Sequence, residues 1–283
     1  MGDGTGKRKE SNGKGGAWSL ALRLALAAGL GGASLAAAEG DPASEGRAIM
    51  AKTDANGRNF ADETVDMRMA LVNANGDSTT RRMKSMTLER KDSEDYSLIQ
   101  FLEPPDVRGT GLLTWQNPRS DDRQWLYLPE LRRVKTIASQ NKSGSFMGSE
   151  FAYEDITGNT LDKFTYRKLG EEKLDGEDCW TVEKVPAYKN SGYTKVKCWI
   201  GKADNLMRRQ EYTDRKNSLL KVQTFKGWKA YDGPKGKTWK ADMIAVENLQ
   251  TKKKSILTFS GRKLGSGLKE DAFNERNLQR LQF

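Results

Sequence analysis

From residue 64 onward the chain repeats with a period of two. Val65, Met67, Met69 and Leu71 alternate with Thr64, Asp66, Arg68 and Ala70 up to a turn at Asn73–Gly76, the signature of a half-buried strand. Arg82–Arg90 and Tyr96–Leu102 read as a hairpin about Asp92-Ser93; Pro104-Pro105 interrupts the sheet and Thr110–Trp115 resumes it. In Arg123–Ile156, Trp125 and Tyr127 share one strand face before Pro129, and Phe151 and Tyr153 again stand two apart. Strand patterns follow at 163–174, 178–185, 193–201, 207–214, 219–231, 238–249 and 253–260. Short connections make neighbouring strands antiparallel. Helical spacing is confined to Asp41–Asn56, with Ala48, Ile49 and Lys52 on one side, and to short stretches at Asp155–Leu161 and Glu270–Leu278. The fold class is therefore mainly β with a few helices: a single strongly curved antiparallel sheet or open barrel in one domain.

The N-terminus is a separate object. A basic head (Lys7, Arg8, Lys9, Lys14) precedes the apolar Ala17–Leu35, and Ala36-Ala37-Ala38 suits cleavage. This order predicts a signal peptide over 1–38 and a mature domain over 39–283, soluble in the periplasm. The competing reading is an uncleaved anchor, against which Arg23 and the Gly/Ala-rich composition weigh. Beyond residue 38 the chain keeps 43 basic and 36 acidic residues, net +7. In an exported protein this excess suits anionic lipid better than nucleic acid, and simple solubility explains it equally well.

Candidate chemistry is sparse. The chain contains no histidine, which removes Ser-His-Asp and Cys-His systems and the common zinc sites; no cofactor motif is present either. Glu94/Asp95, Asp121/Asp122 and Glu154/Asp155 are carboxylate pairs, but adjacent acids in a charged β protein belong mostly to solvated turns. The pattern is not that of an enzyme. The two cysteines, Cys179 and Cys198, lie in facing strand segments. A 179/198 pairing implies the register 181/196 and 183/194, puts Trp180 and Trp199 together on the other face, and predicts a disulfide worth about 3 kcal/mol in an oxidising compartment.

What the chain does offer is apolar strand faces. Gln140–Ser149 is polar and Gly-rich except for Phe146-Met147, which suggests a flexible tip at the entrance of a hydrophobic cleft. Met67, Met69, Trp115, Trp125, Tyr127, Phe146, Met147, Phe151 and Tyr153 are the candidate lining, with core packing as the alternative for each. On that reading, serine at 146 and 147 weakens lipid uptake and spares the fold.

At these residues a resemblance emerges. GTGLLTW, WLYLPELRRVKTI and SGSFMGSEFAYEDI, with the later YTKVKCWIGKADNLMRRQEYTD and GKTWKADMIAVENLQTKKKSILTF, resemble the outer-membrane lipoprotein-sorting, LolA-like family of periplasmic carriers over essentially the whole mature chain. The resemblance implies an unclosed antiparallel β-barrel around a hydrophobic cavity with a helical lid. It implies binding of lipid or lipoprotein acyl chains, transfer between envelope membranes, and partners in an inner-membrane transporter of RND type and an outer-membrane receptor. The alternative is an envelope lipid sensor or periplasmic adaptor of an RND-type exporter that carries nothing; a hydrolase ranks third. A sealed core favours the adaptor, and a lined cavity open at Phe146 favours the carrier.

Overall fold

Period-two segments become strands close to where the pattern puts them. In the computed structural model, which describes Met1 and residues 40–91, 94–158 and 160–280, β1 (Asp62–Val72), β2 (Ser78–Leu88), β3 (Tyr96–Glu103), β4 (Gly111–Trp115), β5 (Arg123–Leu128) and β6 (Arg133–Thr136) form one meander. A second runs through β7 (Phe164–Leu174), β8 (Glu177–Pro186), β9 (Tyr193–Gly201), β10 (Met207–Asp214) and β11 (Leu219–Lys226). After a separate hairpin of β12 (Lys229–Gly233) and β13 (Gly236–Lys240), it ends in β14 (Met243–Asn248) and β15 (Lys254–Leu264). The leader expected over 1–38 and the Asp92-Ser93 turn lie, Met1 apart, outside the described residues. Among the described residues, no helix is long and apolar enough to cross a membrane.

The two meanders meet where β15 pairs with β1, giving one sheet of thirteen strands in the order β6-β5-β4-β3-β2-β1-β15-β14-β11-β10-β9-β8-β7. Every neighbouring pair is antiparallel, and β6 and β7 remain as edges, so the sheet is not closed. The exposed Arg133 and Lys135 on the four-residue β6 protect that edge against pairing. Two expected strands, 219–231 and 238–249, are each divided. Gly227, at φ 68°, turns the chain out of the sheet into the β12–β13 hairpin, and Asp242 N–H donates to the Lys226 and Gly227 carbonyl oxygens where it returns.

The first helix, α1 (Pro42–Asn56), is capped by Asp41, whose carboxylate accepts from the Ala43 and Ser44 N–H groups at 3.3 and 3.1 Å. Its buried face is Gly46, Ile49 and Met50; Ala48 and Lys52, expected there, are exposed. Gly46 permits this docking, because a Cβ would sit 2.7 Å from the Lys168 nitrogen on β7. The remaining helices are short: α2 (Tyr153–Ile156) and α3 (Glu275–Arg280).

Register decides the cysteines. Thr181 faces Trp199 and Glu183 faces Lys197, three residues away from the expected pairing. Cys198 therefore opposes Val182, and Cys179 opposes Gly201. An odd shift moves a residue to the other face, so the two thiols lie on opposite sides of the sheet; both are free and buried. The expected disulfide does not form. Trp180 and Trp199 are parted in the same way. Trp180 packs with Ile200 and Val182, and Trp199 donates to Glu172 at 2.8 Å.

Candidate functional site

Both faces of β2–β5 are apolar, with β1 extending one of them, and each is covered by something different. One face carries Met67, Met69, Met83, Ile99, Phe101, Leu112 and Leu126, packed under Phe146 and Phe151 of the connection that runs from edge strand β6 to edge strand β7. The other carries Met86, Leu98, Leu113 and Trp125 beneath the C-terminal Phe273 and Leu278. Cross-strand partners carry the first face across β15, β14 and β11 to a third cluster on β7–β10, which is covered by α1. This is the inner face: one continuous surface, capped by the crossing segment at one end and α1 at the other.

The structure divides the nine candidate lining residues. Met67, Met69, Phe146 and Phe151 lie in the inner cluster, with Met147 and Tyr153 against it. Trp115, Trp125 and Tyr127 belong to the outer face. There Trp115 stacks on Tyr96 at 4.8 Å, meets Trp125 edge-on at 5.0 Å, and donates its indole N–H to the Phe273 carbonyl oxygen at 2.9 Å.

The tip differs from its sequence reading. Phe146 is not exposed but has 0% accessibility, with its ring 5.8 Å from Phe101 and 5.6 Å from Tyr153. Residues 145–152 are not a strand either; a single bridge, Ser145 to Ala152, closes a tight loop in which Phe146 N–H donates to the Phe151 carbonyl oxygen at 2.7 Å. Met147 and Gly148 take left-handed φ values of 51° and 75°, which turns the loop back so that Phe146 points into the sheet.

Around this apolar plug runs a polar seam that sequence reasoning missed. Asp155 pairs with Lys221 at 2.5 Å, both side chains nearly inaccessible, and accepts from Tyr193 Oη at 2.9 Å and Ala152 N–H at 2.6 Å. Glu154 accepts from Tyr188 Oη, Ser191 Oγ and Gly192 N–H at 2.7–2.8 Å. Glu150 accepts from Asn248 Nδ2 at 2.7 Å, its N–H donates to Ser255 Oγ, and its carbonyl oxygen accepts from Lys221. Arg81 donates to the Met147 carbonyl oxygen. Burial pushes Tyr193 and Tyr212 well above ordinary phenols, and the neighbouring carboxylates add to the effect, so both hydroxyls keep their protons. Burial lowers Lys184, whose ammonium lies 4.5 Å from the Phe164 ring centre.

The acidic pairs are thus not solvated turns throughout. In each, the second carboxylate turns inward: Asp95 to Arg58 at 2.5 Å, Asp122 to Lys163, and Asp155 to Lys221. The signal for the seam was present on β11, where Lys221 and Gln223 alternate with Leu220 and Val222. The polar set is the buried one. A hydrophobic-in rule assigns that strand the wrong way round.

The crossing segment packs closely on the inner face, with Phe146 and Phe151 buried beneath it. Cavities along it include one of about 210 Å³ beside Gly148 and Glu150, one of about 20 Å³ between Glu154 and Lys163, and one of about 270 Å³ beside Asp162 and Lys163. Among the described residues, no cluster of three or more acidic or Cys side chains could hold a metal ion.

Comparison with known proteins extends this picture. A family model described only as an uncharacterized protein matches residues 93–280. The structure is similar to an outer membrane lipoprotein-sorting protein domain from Vibrio parahaemolyticus, at 41% identity and a TM-score of 0.80 over 84% of this chain and 100% of that one. A DUF1329 family protein from Desulfovibrio piger follows at 30% identity and 0.78, with the same coverages. A LolA superfamily protein from Nitrosomonas europaea, at 19% identity and 0.66 over 82% of this chain and 98% of that one, shares the fold. No curated protein matches the sequence.

Proposed function

Because this chain belongs to the outer-membrane lipoprotein-sorting, LolA-like family, we propose that it is a periplasmic carrier whose inner sheet face receives the acyl chains of a lipoprotein or other envelope lipid. One observation carries the reading. The Met-rich inner face is covered by a connecting loop that buries Phe146 and Phe151 against it, and not by a second sheet or a long helix.

The magnitudes are balanced. An acyl chain gains about 0.8 kcal/mol per buried CH₂, so a long chain supplies on the order of 10 kcal/mol gross. Withdrawing the tip exposes Phe146, at about 2–3 kcal/mol. It also breaks four bonds between the tip and the sheet, from Arg81, Asn248, Lys221 and Ser255, at about 1 kcal/mol each. The left-handed Met147 returns roughly 1 kcal/mol on release. The sum lies below the gain from a long chain and above that from a short one, which suits a carrier that holds its cargo and gives it up. In this reading Phe146, Met147, Met67, Met69, Phe151 and Tyr153 face cargo, and the cargo comes from an inner-membrane transporter of RND type and passes to an outer-membrane receptor. Residues 1–38 are the export signal.

Native mass spectrometry of protein purified from periplasm, followed by lipid extraction, tests the reading. A defined lipid at near-unit ratio supports it; bare protein that also ignores added acyl probe refutes it. The complete burial of Phe146 favours the second reading, a periplasmic adaptor or lipid sensor beside an exporter, in which the plug is permanent.

A further inference from the structure

A cavity of about 760 Å³ at the edge of the first meander lies away from the interior. It is formed where the connection between β3 and β4, the turn after β5 and the end of α3 come together; at Gly109 a Cβ would stand 3.1 Å from Pro129 Cγ. Its walls include Arg82, Arg108, Arg280, Glu103, Gln100 and Tyr127. Three arginines and one glutamate therefore share its walls. Arg82 and Glu103 pair at 2.6 Å, but both side chains are about half exposed (53% and 51%), and such a pair contributes little and exchanges readily. Arg108 is fixed by its Nε–H on the Leu102 carbonyl oxygen at 3.1 Å, and among the described residues neither Arg108 nor Arg280 pairs with a carboxylate. Arg82, then Arg108 and Arg68, hold the Glu103 carboxyl below its ordinary range, a sign of the positive field at this mouth. Guanidinium forks in a fixed plane suit phosphate oxygens, and the Gln100 amide and Tyr127 hydroxyl suit alcohols. On the adjoining turn Leu131 is 49% exposed, with Arg132, Arg133 and Lys135 exposed beside it. An apolar point in a cationic rim matches an anionic membrane surface.

We propose that this cavity is a second binding site, on the opposite side of the sheet from the interior, for a glycerophosphate group, with Arg108 and Arg280 holding the phosphate. The group has two possible sources, a phospholipid headgroup or a soluble phosphate ester. Two assays separate them: calorimetric titration with glycerol 3-phosphate, and flotation with phosphatidylglycerol or phosphatidylcholine vesicles. Each is run on the purified protein, on R108Q/R280Q, and on K173Q/K216Q as a control of equal charge loss elsewhere. R280Q alone is included because Arg280 is exposed on the last turn of α3 and its loss endangers the fold least.

Binding of both the ester and phosphatidylglycerol vesicles, weakened at least about tenfold in R108Q/R280Q and little changed in the control, establishes the site with a lipid source. Binding of the ester alone, with the same dependence on the variants, assigns it to a soluble phosphate. Failure of the protein to bind either ligand, retention of affinity by R108Q/R280Q and R280Q, or an equal loss in the control overturns the proposal.

Discussion

Phe146→Ala separates a displaceable plug from a permanent core residue. The side chain is fully buried, between Phe101 and Tyr153, and its loop is tied to the sheet by the bonds of Arg81, Asn248, Lys221 and Ser255. In a rigid core, Phe→Ala costs about 3–5 kcal/mol of global stability. In a displaceable plug, most of that cost falls on the docked loop, because the loop opens before the sheet unfolds. Lowering the opening free energy by about 3 kcal/mol raises the open population by roughly 100-fold while that population is small. Apparent affinity for an acyl chain rises by the same factor, less whatever contact Phe146 itself makes with cargo. The sign is opposite to that expected for an exposed entrance residue, and the burial of Phe146 is the reason. The assay has two parts: titration with a fluorescent fatty-acyl probe, and hydrogen exchange at the Phe146 amide, which is bonded to the Phe151 carbonyl oxygen. The expected result is tighter probe binding and faster exchange confined to residues 144–151, with the denaturation midpoint little changed. A loss of more than about 3 kcal/mol in global stability with unchanged local exchange and no gain in affinity would refute the argument.

Three further outcomes follow from the structure. Asp155→Asn leaves Lys221 buried without its charge partner and should cost about 3–5 kcal/mol in chemical denaturation, whereas Asp155→Asn with Lys221→Met should recover much of it; equal loss in both would show that the pair is not coupled. Reductant should leave the thermal midpoint unchanged, and a thiol reagent should label the native protein slowly, because both cysteines are buried and burial raises both thiols; a reductant-sensitive midpoint contradicts the register. Burial against Phe60, whose ring centre is 3.9 Å away, lowers Lys240 to about 8 although its stem is part-exposed. The unfolded lysine keeps its proton up to about 10.4, so between about pH 8 and 10 the unfolded state binds more protons and stability rises with pH, by at most about 1.4 kcal/mol per unit. Lys240→Met should flatten that rise, and an identical slope in the variant would exclude Lys240 as its source.

Much of the architecture follows from local rules. The alternation at 64–71 fixes a strand with two distinct faces, Trp125 and Tyr127 do share one face, and the helix expected over Asp41–Asn56 forms over Pro42–Asn56 with Asp41 as its cap. Short turns make the meanders antiparallel whatever their surroundings. A period of two cannot say which face is inward when both are apolar. Residues 268–278 cover the outer face of β3–β5, so Trp115, Trp125 and Tyr127 were grouped with residues on the far side of the sheet. Nor does alternation fix register. In the loop between β8 and β9, Tyr188, Ser191 and Gly192 are bound by Glu154, a distant residue of the crossing segment. That tertiary contact accompanies the three-residue shift that parts the cysteines. The same segment supplies Asp155, the buried partner that makes Lys221 an inward residue. Sequence determined the strands, their order along the chain and their two faces. The crossing segment, which no local rule could dock, decided which face is the interior and what fills it.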